Sequence, residues 1–276
     1  MSIGYSKTFR FERSLVAKLL MEFANTPKLS RNEVMERLGV GNQKAEAMIT
    51  WLGMIGLRDN KSRELTPLGE LLLEHDPYFE DINTLWLLHY QLASNPDAEV
   101  WYLLTNKFLP NYTTFSFEDM LNFLVSLGIR PLNDKHLKSD VSIFLKSFIS
   151  IDAFKELNFI TISDKSKKVI SKMTFHKHTP INISPYLIAY VIYDHRSKIY
   201  PNAVTITIKE LLALDANVGK VFSLDRRELE KYLKILTGHE YGELMDISTT
   251  AGLDQVGLRF KGNVFNILER YYNKKE

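Results

Sequence analysis

Cysteine is absent from the 276 residues. That removes disulfides, cysteine-ligated iron–sulfur clusters, cysteine zinc sites and a thiol nucleophile. No apolar run approaches the ~18 residues a membrane-spanning helix needs. The opening MSIGYSKTFRFERS lacks the apolar core of a signal peptide, so a cytoplasmic protein with no membrane partner is expected. Neither sign of charge dominates: 35 Lys and Arg face 33 Asp and Glu, for a formal net charge of +2. Any basic footprint for nucleic acid must therefore be local. Ser/Gly-rich linkers and low-complexity tracts are missing too, so the parts of the chain are expected to dock against one another. The 45% hydrophobic and 25% charged content is that of an ordinary globular protein, long enough for two or three structural units.

Catalytic signatures are equally sparse. GVGNQKAE has glycines before a helix but neither the spacing nor the Lys-Ser/Thr of a phosphate-cradling loop. Those glycines fit a tight turn between two helices. No serine sits in a nucleophile-elbow sequence, and His239-Glu240 lacks the second helical histidine of a zinc peptidase. His176 and His178 share one face of an expected strand and would need His195 or Asp194 to complete a metal site. His89, in an aromatic-rich helix, reads as a satisfied core histidine. Neither an enzyme nor a cofactor is indicated.

The most informative stretch is residues 29–73, which reads as one winged helix-turn-helix. Ser30 and Glu33 form a capping-box pattern, and Gly39 suits the left-handed turn that ends the helix. Asn42 opens a second helix carrying Ala45, Met48, Ile49 and Leu52 along one face. Two short strands are expected at residues 55–58 and 63–66, joined by Asp59-Asn60-Lys61-Ser62. Pro67 suits the first turn of the following helix. Ahead of this unit, Phe11, Leu15, Leu19 and Phe23 repeat at helical spacing.

Three segments follow from the punctuation: residues 1–77, 78–177 and 178–276. The middle one is expected to be helical, broken by turns at Asn95-Pro96, Leu109-Pro110-Asn111 and Gly128-Ile129-Arg130-Pro131. Trp86, Tyr90, Trp101, Tyr102, Phe108, Phe115 and Phe117 predict a packed aromatic hub there. The third repeats the logic of the first: a helix over 184–195, a capping box at Thr207 and Glu210, a turn at Asn217-Val218-Gly219-Lys220, and a helix capped by Asp225 and ending at Gly238. Strand-like content at 244–248 and 255–260 gives a second wing, and the closing helix carries Val264, Ile267, Leu268 and Tyr271. The expected fold is mainly α with small β-hairpins (α+β), two winged helix-turn-helix units flanking a helical middle region.

A recognition helix buries one face and presents the other to a groove or phosphate backbone. In the first unit this leaves Gln43, Ala47, Thr50 and Met54 pointing outward. Asn42 or Gln43 can hydrogen-bond an adenine edge and Lys44 can meet a phosphate, with Arg58, Lys61 and Arg63 on the wing. In the last unit Leu229, Tyr232, Leu233 and Leu236 form the buried stripe. Arg227, Lys231 and Lys234 share the opposite face, beside Arg226 and Lys220. Were all five of these cations to meet phosphates, affinity would fall with salt at a log–log slope of roughly −4 to −5. The bland reading treats the same charges as a solvated helix face with an ordinary Glu230–Lys234 surface pair. Lys165, Lys167, Lys168 and Lys172 form a third basic cluster, of the kind found on exposed loops.

At DINTLWLLHYQLASNP and VWYLLTNKF the chain resembles a bacterial family known only as domain of unknown function 4007. IDAFKELNFI, VGKVFSLD, DISTTAGLDQV, RLGVG and LTPLGELL extend the resemblance over most of the chain, with Leu-Trp-Leu-Leu-His as its most specific element. The family commonly opens on a His-Glu-Thr-Phe-like start with a tryptophan in the first helix, where this chain has KTFRFERSLVAKLL. The resemblance implies a setting beside enzymes similar to phosphoadenosine-phosphosulfate (PAPS) reductases in DNA-modification or phage-defence clusters. A non-enzymatic DNA-binding component of such a system is the expected function, with those enzymes as partners. A protein-interaction scaffold that docks a partner enzyme without touching DNA is the alternative.

Overall fold

The computed structural model describes residues 9–129, 134–164, 166–241, 244–250 and 253–274. The chain divides into two compact units, residues 1–178 and 179–276. Both are mainly helical, and each carries one small antiparallel sheet. No helix among the described residues is long and apolar enough to cross a membrane.

The first unit opens with α1 (Arg13–Asn25), α2 (Arg31–Leu38) and α3 (Asn42–Met54). Ser30 and Glu33 close the expected capping box on α2, and Gly39 ends that helix at φ 66°, a left-handed conformation that glycine adopts without strain. Phe11 precedes α1 rather than lying on it. The two strands expected at 55–58 and 63–66 shrink to a single bridge between Arg58 and Leu65. Helix α3 and its cap use the chain up to Ile55. Asp59 then folds the tip tightly, its Oδ1 accepting from the backbone N–H of Lys61 at 2.8 Å and Ser62 at 2.6 Å. Too few residues remain for a longer ladder. Helix α4 (Pro67–His75) follows, capped by Thr66. It passes so close to Leu57 that a Cβ on Gly69 would meet that carbonyl oxygen at 2.2 Å.

Next come α5 (Ile82–Ser94) and α6 (Glu99–Leu103), the latter running into a π-turn over Leu104–Phe108. The rest of the unit is β1 (Thr114–Ser116), α7 (Phe117–Ser126), α8 (Lys135–Ile149), β2 (Ile160–Ile162) and β3 (Thr174–Lys177), with sheet order β1-β3-β2. The middle region is therefore not purely helical. Strands of three or four residues are too short to show a period-two pattern. Arg130 and Pro131, read as part of a turn, lie outside the described residues.

An aromatic cluster forms the core here. Trp101 meets Trp51 at 6.2 Å, Phe144 at 4.9 Å, Phe148 at 5.5 Å and Phe154 at 5.6 Å between ring centroids, mostly edge to face. Its indole N–H donates to His89 Nδ1 at 3.2 Å, so His89 is a satisfied core histidine. Trp86, Tyr90, Phe108, Phe115 and Phe117 are buried as expected; Tyr102 is half-buried.

The second unit contains α9 (Pro185–Ile199), β4 (Thr205–Thr207), α10 (Ile208–Ala213), α11 (Val218–Val221), α12 (Arg226–Leu236), β5 (Met245–Thr250), β6 (Leu253–Leu258) and α13 (Phe265–Asn273), with sheet order β4-β6-β5. The turn expected at 217–220 is itself a short helix, α11. The strands differ in extent from those expected: β5 runs from Met245 to Thr250 and β6 from Leu253 to Leu258. Ala251 and Gly252 lie outside the described residues. On α13 the buried tyrosine is Tyr272 rather than Tyr271.

The two units repeat one plan: a short strand, a capping box, helices, then two strands with the last in the middle of the sheet. Ser116 with Asp119 opens α7, and Thr207 with Glu210 opens α10. The first of these boxes escapes the Ser/Thr-x-x-Glu/Gln pattern because its fourth residue is aspartate.

His195 joins α9 to the turn before α11. Its Nε2 lies 3.0 Å from the Asp215 carbonyl and its Nδ1 3.2 Å from the Asn217 amide nitrogen, so Nε2 carries the proton and Nδ1 accepts. Burial holds its pKa below the ordinary imidazole value. The unfolded chain then binds a proton below about pH 6.5 that the folded unit refuses until lower pH. Stability is expected to be fully present above that value and to decline as pH falls toward the folded pKa. In urea titrations from pH 8 to 5, His195→Gln should flatten this decline. A parallel decline in the variant would assign the acid sensitivity elsewhere.

Candidate nucleic-acid interface

Helix α12 is two-faced. Leu229, Leu233 and Leu236 are fully buried and Tyr232 is half-buried, while Asp225 caps the first turn by accepting from the Glu228 N–H at 2.8 Å. Positions 227, 231 and 234 stand at i, i+4 and i+7, so their side chains line one face over about 10 Å of helix. Arg226, Arg227, Lys231 and Lys234 are all exposed.

Their charges are not equally free. Arg226 is held by Glu230 at 2.7 Å and by Asp254 of β6. The hydrogen bonds to Asp254 and then Glu230 raise its pKa further. Lys231 pairs with Glu228 at 2.6 Å. Arg227 and Lys234 make no ion pair with any described residue. Lys220, on α11, is half-buried. The expected ridge is thus exposed, with its outermost unpaired cations at positions 227 and 234. The Asp254 contact joins residues 28 apart in sequence, beyond the reach of helical spacing.

The first unit departs further from expectation. Helix α3 buries Ala45, Ala47, Met48, Trp51, Leu52 and Met54, so Ala47 and Met54 do not point outward, and Ile49 is only half-buried. The helix packs against both α1 and α2, and burial on more than one side leaves a narrow outer edge. Asn42 and Gln43 lie exposed on it. Lys44 pairs with Glu12 at 2.9 Å. Arg58 is 6% exposed, its guanidinium 4.7 Å from the centre of the Phe23 ring, which corrects its reading as a displayed wing cation. Lys61 and Arg63 are exposed. Arg63 Nη2 donates to the Leu29 carbonyl at 2.8 Å. Arg31, which pattern reading passed over, sits beside Glu46 at 3.5 Å.

His176 and His178 have ring centroids 4.7 Å apart, and each ring nitrogen contact is to a threonine: Thr114 at 3.1 Å and Thr161 at 2.8 Å. Among the described residues, no group of three or more His, Asp and Glu side chains could hold a metal ion. Lys167, Lys168 and Lys172 are exposed between β2 and β3; Lys165 lies outside the described residues.

No curated protein matches the chain. Two solved structures share its fold: a crystal structure of magnesium ion-bound SspB, with a TM-score of 0.81, and a second SspB crystal structure, with a TM-score of 0.79. Each is 21% identical to this chain, and each superposition covers 99% of this chain and 88% of that one. Residues 6–272 match the family described as "Protein of unknown function (DUF4007)". The chain belongs to that family.

Proposed function

We propose that this protein is a DNA-binding, non-enzymatic component of a bacterial DNA-modification or phage-defence system. It grips phosphates through winged-helix units and positions a partner enzyme. The observation that carries the reading is the exposed ridge of α12, where Arg227, Lys231 and Lys234 oppose a buried leucine stripe. The order of α9, β4, the helices up to α12, and the β5–β6 hairpin supports a winged helix, with α12 in the recognition position. The setting follows the family resemblance, with PAPS-reductase-like enzymes as partners.

The test is a gel-shift titration of duplex DNA at several salt concentrations. Retention should weaken steadily as salt rises, because phosphate contacts release counterions. Salt-insensitive binding or none would overturn the reading. Since one SspB structure holds magnesium, the same incubation is run on supercoiled plasmid with Mg²⁺. Intact plasmid is expected; nicking would overturn the non-enzymatic part.

A second reading, a scaffold docking a partner enzyme, draws on the first unit. There Lys44–Glu12, Arg31–Glu46 and Lys28–Glu64 pairs compensate charge, and Arg58 is buried. It predicts co-elution with a neighbouring gene product and no DNA retention.

A further inference from the structure

A wide, open depression of about 470 Å³ lies on the first unit, lined by the start of α2, by Glu46 and Ile49 of α3, and by Arg58 and Arg63. The lining itself holds three arginines, Arg31, Arg58 and Arg63, and one carboxylate, Glu46; Asp59 and Glu33 stand just outside it, near Arg58 and Arg63 respectively. Glu46 lies 3.5 Å from Arg31.

Arg58 is the unexplained member. It is 6% exposed, and its Nε has no hydrogen-bond acceptor. A buried cation with no hydrogen-bonded carboxylate among the described residues is costly; a face-on contact with Phe23 and the nearby charge of Asp59 recover only part of that cost. Burial and then the neighbouring charge of Arg63 push its pKa down, with Asp59 opposing the shift; the two guanidiniums repel. Arg63 is nonetheless held in place, at φ 65° and hydrogen-bonded to the Leu29 carbonyl. Arg31 and Asn32 begin α2, where backbone N–H groups lack acceptors within the helix and the helix dipole favours an anion. Glu33 already takes the Ser30 N–H at 2.8 Å and hydroxyl at 2.6 Å. The buried Arg58 Nε–H and the next two amides remain.

We propose that this depression binds one phosphate group, with Arg58, Arg63 and Arg31 as its cationic ligands. A tetrahedral dianion satisfies several N–H donors at once and neutralises the buried charge. The site lies in the first unit and does not depend on α12. The phosphate can belong to a DNA strand or to a free phosphate or nucleotide.

The test titrates inorganic phosphate into the full-length protein at constant ionic strength, by calorimetry and by the arginine Nε–H NMR signals. Saturable binding with a shifted Arg58 Nε–H is expected. Affinity should fall about tenfold in Arg58→Met and several-fold in the exposed Arg31→Gln, which keeps the test decisive if the first variant fails to fold. Displacement by an oligonucleotide identifies strand phosphate as the natural ligand; displacement by a mononucleotide alone identifies a small molecule. Absence of saturable phosphate binding, or wild-type affinity in the folded variants, overturns the proposal. Charge reversal on α12 should leave phosphate binding unchanged, so failure here and failure of the DNA reading are distinguishable.

Discussion

Replacing Trp101 with alanine is expected to cost the first unit about 3 to 5 kcal/mol of stability. The side chain is 1% exposed and touches aromatic rings from several elements: Trp51 of α3, Phe144 and Phe148 of α8, and Phe154 beyond it. Alanine leaves a void among rings whose backbones are fixed by separate helices, so the site cannot collapse to fill it. It also strips His89 Nδ1 of its donor, stranding a buried acceptor. Trp101→Phe keeps a ring and loses chiefly the hydrogen bond, so it should cost about 1 to 2 kcal/mol. All three tryptophans fall within residues 1–178, so fluorescence in a urea titration reads this unit selectively, through Trp51 and Trp86. A midpoint for Trp101→Ala within error of wild type would remove the cluster from its structural role.

The second large effect concerns binding. Reversing Arg227, Lys231 and Lys234 together to glutamate should lower DNA affinity by about a hundredfold or more near 0.1 M salt. That follows from about 1 kcal/mol for each charge-assisted hydrogen bond to phosphate that is removed, with repulsion added. All three side chains are exposed and the buried stripe is untouched, so the melting temperature should stay within a degree or two of wild type. Position matters as well as charge. Arg226 is already engaged by Glu230 and Asp254 and must give up those partners to meet a phosphate. Arg226→Gln should therefore weaken binding less than Arg227→Gln. Equal effects would mean that the ion pairs are too loose to hold Arg226 back. An unchanged affinity in the triple variant would refute the ridge as the binding surface.

Local signals carried much of this structure in the sequence itself. Ser30 with Glu33 and Thr207 with Glu210 mark helix starts through short-range hydrogen bonds, and such bonds depend only on neighbouring residues. The leucines of α12 follow a strict helical period, and Asp225 announces its start. What stayed hidden depends on partners distant in the chain. Arg58 reads as a wing cation until Phe23, 35 positions earlier, is found beneath it. Arg226 reads as free until Asp254 arrives from β6. Ala47 and Met54 look outward on a one-faced helix, but α3 is packed on more than one side. β1 and β2 hold three residues each; their pairing with β3, rather than their own pattern, makes them strands.

The most direct test of the central claim is the salt dependence of DNA affinity, measured by fluorescence anisotropy for wild type and for Arg227→Gln/Lys234→Gln. These are the ridge cations without an ion-pair partner among the described residues, and each phosphate contact contributes about −0.9 to the log–log slope. The account predicts a slope shallower by about two in the double variant. Identical slopes, or a wild-type protein that ignores DNA at every salt concentration, would contradict it.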